Sequence, residues 1–363
     1  VDLVGGPSQI RVFKPDGKVQ KPVDVPPISA VGQIVRLNGD DILFRNESYT
    51  QPPAWFHYNP STLDVRRTAL FRTSPADFSD VEVVREFATS KDGTRVPINI
   101  LYSRGMTRDG KNPTLLYGYG GYSISLTPTF RVGLKVWLEQ GCVYAVANLR
   151  GGGEFGEQWH HAGNLTHKQN VFDDFLACAH YLIDERYTNP EKLAIEGGSN
   201  GGLLMGAALT QQPKLFRAVV AHVGIYDMLR VELSPNGAFN VTEFGTVKDR
   251  DQFQALFAYS PYHHVSQDTH YPAVLFLTGE NDGRVDPANS RKMTAKLQAT
   301  STTQPVLLRI SFSSGHGIGT GLGERIAQQA DVYAFLFYKL GVKYHAVDGE
   351  KSEGARKRKP TGY

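Results

Sequence analysis

The stretch that decides the fold is Lys192-Leu193-Ala194-Ile195-Glu196-Gly197-Gly198-Ser199-Asn200-Gly201-Gly202-Leu203-Leu204-Met205-Gly206-Ala207-Ala208-Leu209. Its centre, Gly197 to Gly201, fits G-x-S-x-G, the nucleophile elbow. There a serine sits on a strained strand-to-helix turn with its hydroxyl lifted clear of the sheet. The apolar run before it reads as a strand and the small-residue run after it as a helix, which is the context the motif needs. Glycines on both sides suit a turn where the nucleophile's φ/ψ is unfavourable and neighbouring backbone approaches closely. A plain Gly/Ser loop would lack these flanks.

Outward from this turn, strands and helices alternate. Segments 114–117, 143–148, 193–196, 218–223, 273–278 and 306–310 read as strands, and 132–140, 171–186, 290–299 and 323–340 as helices. Within 171–186 the apolar residues at 172, 175, 176, 179, 182 and 183 follow the spacing of a half-buried helix. Segments 81–87 and 96–102 read as paired strands joined at Lys91-Asp92-Gly93. The alternation predicts a mostly parallel sheet with helices on both faces and functional groups at the carboxyl ends of its strands. With the elbow, this is the α/β-hydrolase fold.

Residues 1–75 follow another grammar: short strands and turns at 9–13, 33–37, 42–45, 54–58 and 65–71, without helical periodicity. The strand-then-turn passage at Pro15 recurs 45 residues later at Pro60, the period of a four-stranded propeller blade. Residues 1–75 are therefore expected to be a partial β-propeller, its last one or two blades. A lone blade leaves open edges that need partners. Residues 76–345 are expected to form the hydrolase domain, and 346–363, with Lys351, Arg356, Lys357, Arg358 and Lys359, a disordered basic tail.

The chain has 363 residues, 40% hydrophobic and 21% charged, with a formal charge of +3. That describes an ordinary globular protein, and the charge is too small to imply a nucleic-acid or membrane partner. Cys142 and Cys178, the two cysteines, read as buried free thiols. The chain begins at Val1 in mid-pattern and is expected to be a fragment or a processed chain. The compartment expected is cytoplasmic, with periplasmic and secreted locations left open.

A serine hydroxyl needs a base to take its proton, and the base needs a carboxylate to hold its tautomer. In this fold the chain order is Ser, then Asp or Glu, then His. Strand 273–278 runs into Gly279-Glu280-Asn281-Asp282, and strand 306–310 into Ser313-Ser314-Gly315-His316-Gly317. His316 is the base candidate; spacing favours Asp282 over Glu280 without deciding between them. One oxyanion donor is expected to be the Asn200 N–H. The second belongs to the loop Tyr117-Gly118-Tyr119-Gly120-Gly121-Tyr122, through a glycine amide or a tyrosine hydroxyl. The tandem pairs His160-His161 and His263-His264 lack partners at metal-ligand spacing and read as polar loop residues. No cofactor is called for.

These residues closely resemble the prolyl oligopeptidases, serine peptidases with a β-propeller over an α/β-hydrolase domain. The resemblance rests on Tyr117-Gly118-Tyr119-Gly120-Gly121, Asn148-Leu149-Arg150-Gly151-Gly152-Gly153-Glu154 and Lys168-Gln169-Asn170-Val171-Phe172-Asp173-Asp174. It continues through Gly197 to Gly202, Tyr259-Ser260-Pro261-Tyr262, Asp282-Gly283-Arg284-Val285 and Gly315-His316-Gly317. It implies Ser199 as nucleophile, Asp282 rather than Glu280 as orienting acid and His316 as base. It also implies the Tyr119 hydroxyl beside the Asn200 amide in the oxyanion hole, and Arg284 on the peptide carbonyl upstream of the scissile bond. Tyr122 and Val285 are implied as walls of a proline pocket. The expected substrates are short peptides cut after proline, and the full-length form is expected to be monomeric.

Two features depart from the family pattern. The family carries a tryptophan four residues before an aromatic-glycine pair. Here Ala238-Phe239-Asn240-Val241-Thr242-Glu243-Phe244-Gly245 places Asn240 there, with Phe239 as a substitute ring if the loop shifts by one, so Phe239, Asn240 and Phe244 are expected among the substrate-binding residues. Preference for proline is then expected to relax toward other small residues. The remaining propeller blades are also missing, so the chain alone is expected to show poor solubility or altered size selection. A related peptidase of broader specificity and an esterase are the competing readings. Gly151 to Gly156 fits G-x-G-x-x-G, but Asp173 opens a helix where a dinucleotide site needs the end of a second strand.

Overall fold

The computed structural model describes residues 1–317 and 319–346. The basic tail expected from 346 therefore lies, beyond Ala346, outside the described residues. The chain opens with a short pair, β1 (Asp2–Leu3) against β2 (Ser8–Gln9). The strand expected over 9–13 shrinks to this pair and two isolated bridges, Ile10 to Val23 and Phe13 to Val19. Pro15 and Pro22 bracket the returning arm and cannot donate to a ladder. A sequential antiparallel meander follows: β3 (Ser29–Arg36), β4 (Ile42–Ser48), β5 (Ala54–Asn59) and β6 (Asp64–Phe71). Buried Phe44 stacks on Phe56 at its centre, with ring centroids 5.5 Å apart. Its outer strand β6 is largely exposed, Leu70 and Phe71 included.

The main sheet has eight strands: β7 (Val81–Thr89), β8 (Arg95–Ser103), β9 (Thr114–Tyr117), β10 (Val143–Ala147), β11 (Leu193–Gly198), β12 (Ala218–His222), β13 (Ala273–Gly279) and β14 (Val306–Ser311). Their order is β14-β13-β12-β11-β9-β10-β8-β7. Pairing is parallel from β14 to β10 and antiparallel at β10/β8 and β8/β7. This is the α/β-hydrolase fold. The central strands read as continuous apolar runs because both faces are covered. Alternate residues serve opposite sides: Val219 and Ala221 pack with α3 (Gln169–Asp184) and α4 (Asn200–Gln211), while Ala218 and Val220 pack with α1 (Leu134–Leu138) and α9 (Leu322–Leu340). On the second face Trp137 is fully buried and stacks on Phe337 at 5.4 Å. No helix among the described residues is long and apolar enough to cross a membrane.

The chain builds outward from β9 to β10 and then returns to β11 on the other side of β9. This reversal opens a crevice at the carboxyl ends of β9 and β11, where open α/β sheets bind their ligands. A buried ion pair closes the loops there. Asp174 on α3, fully buried, accepts from Arg150 Nε at 2.9 Å and Nη2 at 2.6 Å, and Arg150 also reaches Asp92 in the β7–β8 turn. Removing one member of such a pair strands the other charge in low dielectric. Arg150→Met is expected to cost about 3–5 kcal/mol, read as a lower urea midpoint; an unchanged midpoint would show that the pair does not hold these loops.

Candidate active site

Each member of the expected triad follows a parallel strand: Ser199 after β11, Asp282 after β13, His316 after β14. Ser199 adopts φ 59°, ψ −118°, a region L-residues avoid, between the end of β11 and the start of α4. Its N–H donates to the His222 carbonyl at 2.8 Å, which ties the turn to the end of β12. The turn excludes side chains: a Cβ on Gly197 would lie 2.4 Å from the Gly201 carbonyl oxygen.

The three side chains form a continuous hydrogen-bonded line. His316 Nε2 lies 3.0 Å from Ser199 Oγ, and His316 Nδ1 lies 2.7 Å from Asp282 Oδ2. Asp282 Oδ1 accepts from the Arg284 and Val285 amides, both at 2.9 Å. Burial works to raise the Asp282 pKa, but the bonds from His316, Val285 and Arg284 outweigh it and hold it below the usual range. The carboxylate is thus charged wherever the imidazole needs an acceptor. Glu280 is instead exposed and pairs with Arg291.

Asn200 is the first residue of α4, so the helix offers its N–H no partner of its own. The Asn200 carboxamide donates to the Tyr119 carbonyl at 2.5 Å and fixes the loop after β9 against the elbow. Burial pushes the Tyr119 hydroxyl up to about 12, while an interaction with Ser199 pulls the other way. It therefore stays a donor at neutral pH, facing the serine.

A cleft of about 420 Å³ opens over Ser199 and His316, with Tyr119, Tyr122, Phe239, Asn240, Arg284 and Val285 in its walls. Residues 237–244, expected as a loop, form helix α5 (Gly237–Phe244). On it Phe239 is 57% exposed and lies parallel to Tyr122, centroids 5.4 Å apart and planes 3° apart. Asn240 is buried and accepts from the Tyr122 hydroxyl at 2.9 Å. Phe244 does not line the cleft; it is fully buried behind it, edge-on to Tyr122.

Ile124, Ile225 and Asn236 complete the lining and belong to no motif. The one signal for Ile225 was its place just past the carboxyl end of β12. The tandem histidines lie on short helices rather than in loops: His160 on α2 (Glu157–His161), 2.8 Å from Glu243, and His263 on α7 (Pro261–His264), 2.8 Å from Ser260. Nearby polar partners, remote in sequence for His160, fix both.

A serine linked to a histidine and a buried aspartate at the carboxyl edge of this sheet defines the class as an α/β-hydrolase with a serine-centred site. The chain belongs to the prolyl oligopeptidase family, whose family model matches residues 128–343. It is 39% identical over 344 residues to a prolyl endopeptidase of Elizabethkingia meningoseptica, covering 93% of this chain and 48% of the relative. To a prolyl endopeptidase of Dictyostelium discoideum it is 40% identical over 347 residues, covering 92% and 45%. A solved chain from a structural study of two prolyl endopeptidases matches with a TM-score of 0.88 at 43% identity, covering 94% of this chain and 50% of that one. The chain spans about half the length of the curated relatives it matches.

The positive φ at Ser199 is a strain that glycine would not feel. Ser199→Gly is expected to be more stable than Ser199→Ala by about 1 kcal/mol or more, measured by urea denaturation; equal midpoints would mean the turn is unstrained.

Proposed function

We propose that this chain is the peptidase part of a serine endopeptidase that hydrolyses short peptides on the carboxyl side of proline. The observation that carries the reading is the unbroken line Asp282–His316–Ser199 at a strained elbow. In this reading His316 Nε2 takes the Ser199 proton as Oγ attacks the scissile carbonyl carbon. The charge on the carbonyl oxygen is met by the Asn200 N–H and the Tyr119 hydroxyl, donors that act most strongly in the transition state. His316 then hands its proton to the departing amine. In the second half it takes a proton from water as the water attacks the acyl-serine, and returns that proton to Ser199 Oγ as the acyl–oxygen bond breaks and the acid leaves. Asp282 stays ionised throughout, holding Nδ1 protonated.

Substrate positioning falls to Arg284, on the carbonyl upstream of the scissile bond, and to the pocket of Tyr122, Val285, Phe239 and Asn240. The parallel Tyr122–Phe239 pair supports Phe239 as the ring that replaces the family's tryptophan. Residues 1–75 are read as the last one or two blades of a propeller and 76–345 as the peptidase domain, monomeric in the full-length form and cytoplasmic. A second reading, cleavage after small residues in general, is favoured by Asn240, whose carboxamide is committed to Tyr122 and offers a proline ring no stacking face.

A cleavage profile on a mixed short-peptide library, with and without a serine-reactive inhibitor, tests both. Inhibitor-sensitive cuts after proline support the first reading and cuts after alanine the second; cuts the inhibitor does not suppress would overturn the serine mechanism. Ser199→Ala is expected to lower turnover by about 10⁴-fold or more, and Tyr119→Phe by about 10²–10³-fold. Phe239→Ala is expected to cut the preference for proline over alanine by about fivefold, the equivalent of one aromatic contact.

A further inference from the structure

Helix α5 and the loop after β9 meet in the lining of the cleft, Phe239 against Tyr122, and a buried charge cluster joins them from behind. Lys168 lies at the entry to α3 with its side chain fully buried; Glu243, on α5, is 1% exposed. Lys168 Nζ donates to Glu243 Oε1 at 2.8 Å and to the Gly120 carbonyl at 3.0 Å. The other oxygen, Glu243 Oε2, lies 2.8 Å from His160 Nε2 on α2. Gly120 sits between Tyr119 and Tyr122 at φ 64°, where a Cβ would lie 2.3 Å from Val171, so this carbonyl belongs to a tightly determined turn.

One ammonium therefore ties the loop bearing Tyr119 and Tyr122 to the helix bearing Phe239 and Asn240. A second, outer tie runs from the Tyr122 hydroxyl to Asn240. Lys168 also lies 5.2 Å from the centre of the Phe244 ring, the ring that backs Tyr122. A buried ion pair is a weak source of net stability, since apolar residues of similar volume often do as well. Geometry is what it supplies here: the aromatic contacts of Tyr122 with Phe239 and Phe244 join the two elements without direction, and the ion pair fixes their register.

We propose that Lys168 and Glu243 are positioning residues that set the shape of the pocket for the residue preceding the scissile bond, by fixing Phe239 and Asn240 against Tyr122. They act through Gly120 and α5 and touch neither substrate nor Ser199. The inference rests on the peptidase reading above. The double variant Lys168→Met/Glu243→Leu removes both charges without stranding either. In the full chain its melting temperature is expected to fall only modestly, because no charge is stranded although the Gly120 carbonyl and His160 each lose a partner. KM for a peptide with proline before the cut is expected to rise by about 10- to 100-fold. Hydrolysis of p-nitrophenyl acetate, whose acetyl group does not fill the pocket, is expected to stay within about twofold of the parent. Lys168→Met/Glu243→Gln, which strands no charge and keeps a polar partner for His160, reports the same split if the first double variant does not fold.

Unchanged peptide kcat/KM in a folded variant, or ester and peptide turnover falling together, would overturn the positioning role. A parent chain that hydrolyses the ester but no peptide would instead overturn the peptidase reading, and this inference with it.

Discussion

The arrangement of the site depends on one backbone turn held where ordinary residues do not go. Ser199 at positive φ carries strain of about 1–3 kcal/mol, and the surroundings leave it no alternative. Its strand β11 is paired on both sides, by β9 and β12. Its amide is bonded to His222, and the glycines beside it allow the first turn of α4 to close against the strand end. With the serine held in this way, His316 and Asp282 need only follow strands β14 and β13 to reach it. Parallel pairing puts all these strand ends on the same edge.

The loops along that edge are tied by charge as well as by apolar packing. Arg150–Asp174 and Lys168–Glu243 are buried pairs, and Asp282 collects three donors on a side chain with no exposure. Each of these three carboxylates is answered, as it must be where an unpaired charge would cost several kcal/mol. Loop segments with no apolar periodicity add only single residues, such as Leu149, Ile225 and Val285, to the sheet's cores. Hydrogen bonds and ion pairs to α3, α4 and α5 take over that role and leave His316 between the rigid sheet and the cleft.

The parallel strands were readable because they are buried on both faces and so appear as unbroken apolar runs; segment 114–117 coincides with β9. Helix α3 was readable because its apolar residues keep helical spacing. Helix α5 was not. Its buried positions are Gly237, Asn240, Glu243 and Phe244, which repeat at three and four residues but are mostly polar or lack a side chain. A search for apolar periodicity finds nothing there, because the burial is satisfied by hydrogen bonds from Tyr122 and Lys168, 118 and 75 residues away in sequence. The same holds for His160, whose partner Glu243 is 83 residues off.

By itself the sequence determined the elbow, the alternation of strands and helices, and the order serine, acid, histidine, since each is local pattern or chain order. The tertiary structure decided what proximity alone can settle. It put Asp282 rather than Glu280 against His316, stood Phe239 parallel to Tyr122, and withdrew Phe244 behind the pocket. Side-chain direction on a turn or a short polar helix depends on neighbours contributed by other strands. Those neighbours meet only when the sheet has assembled.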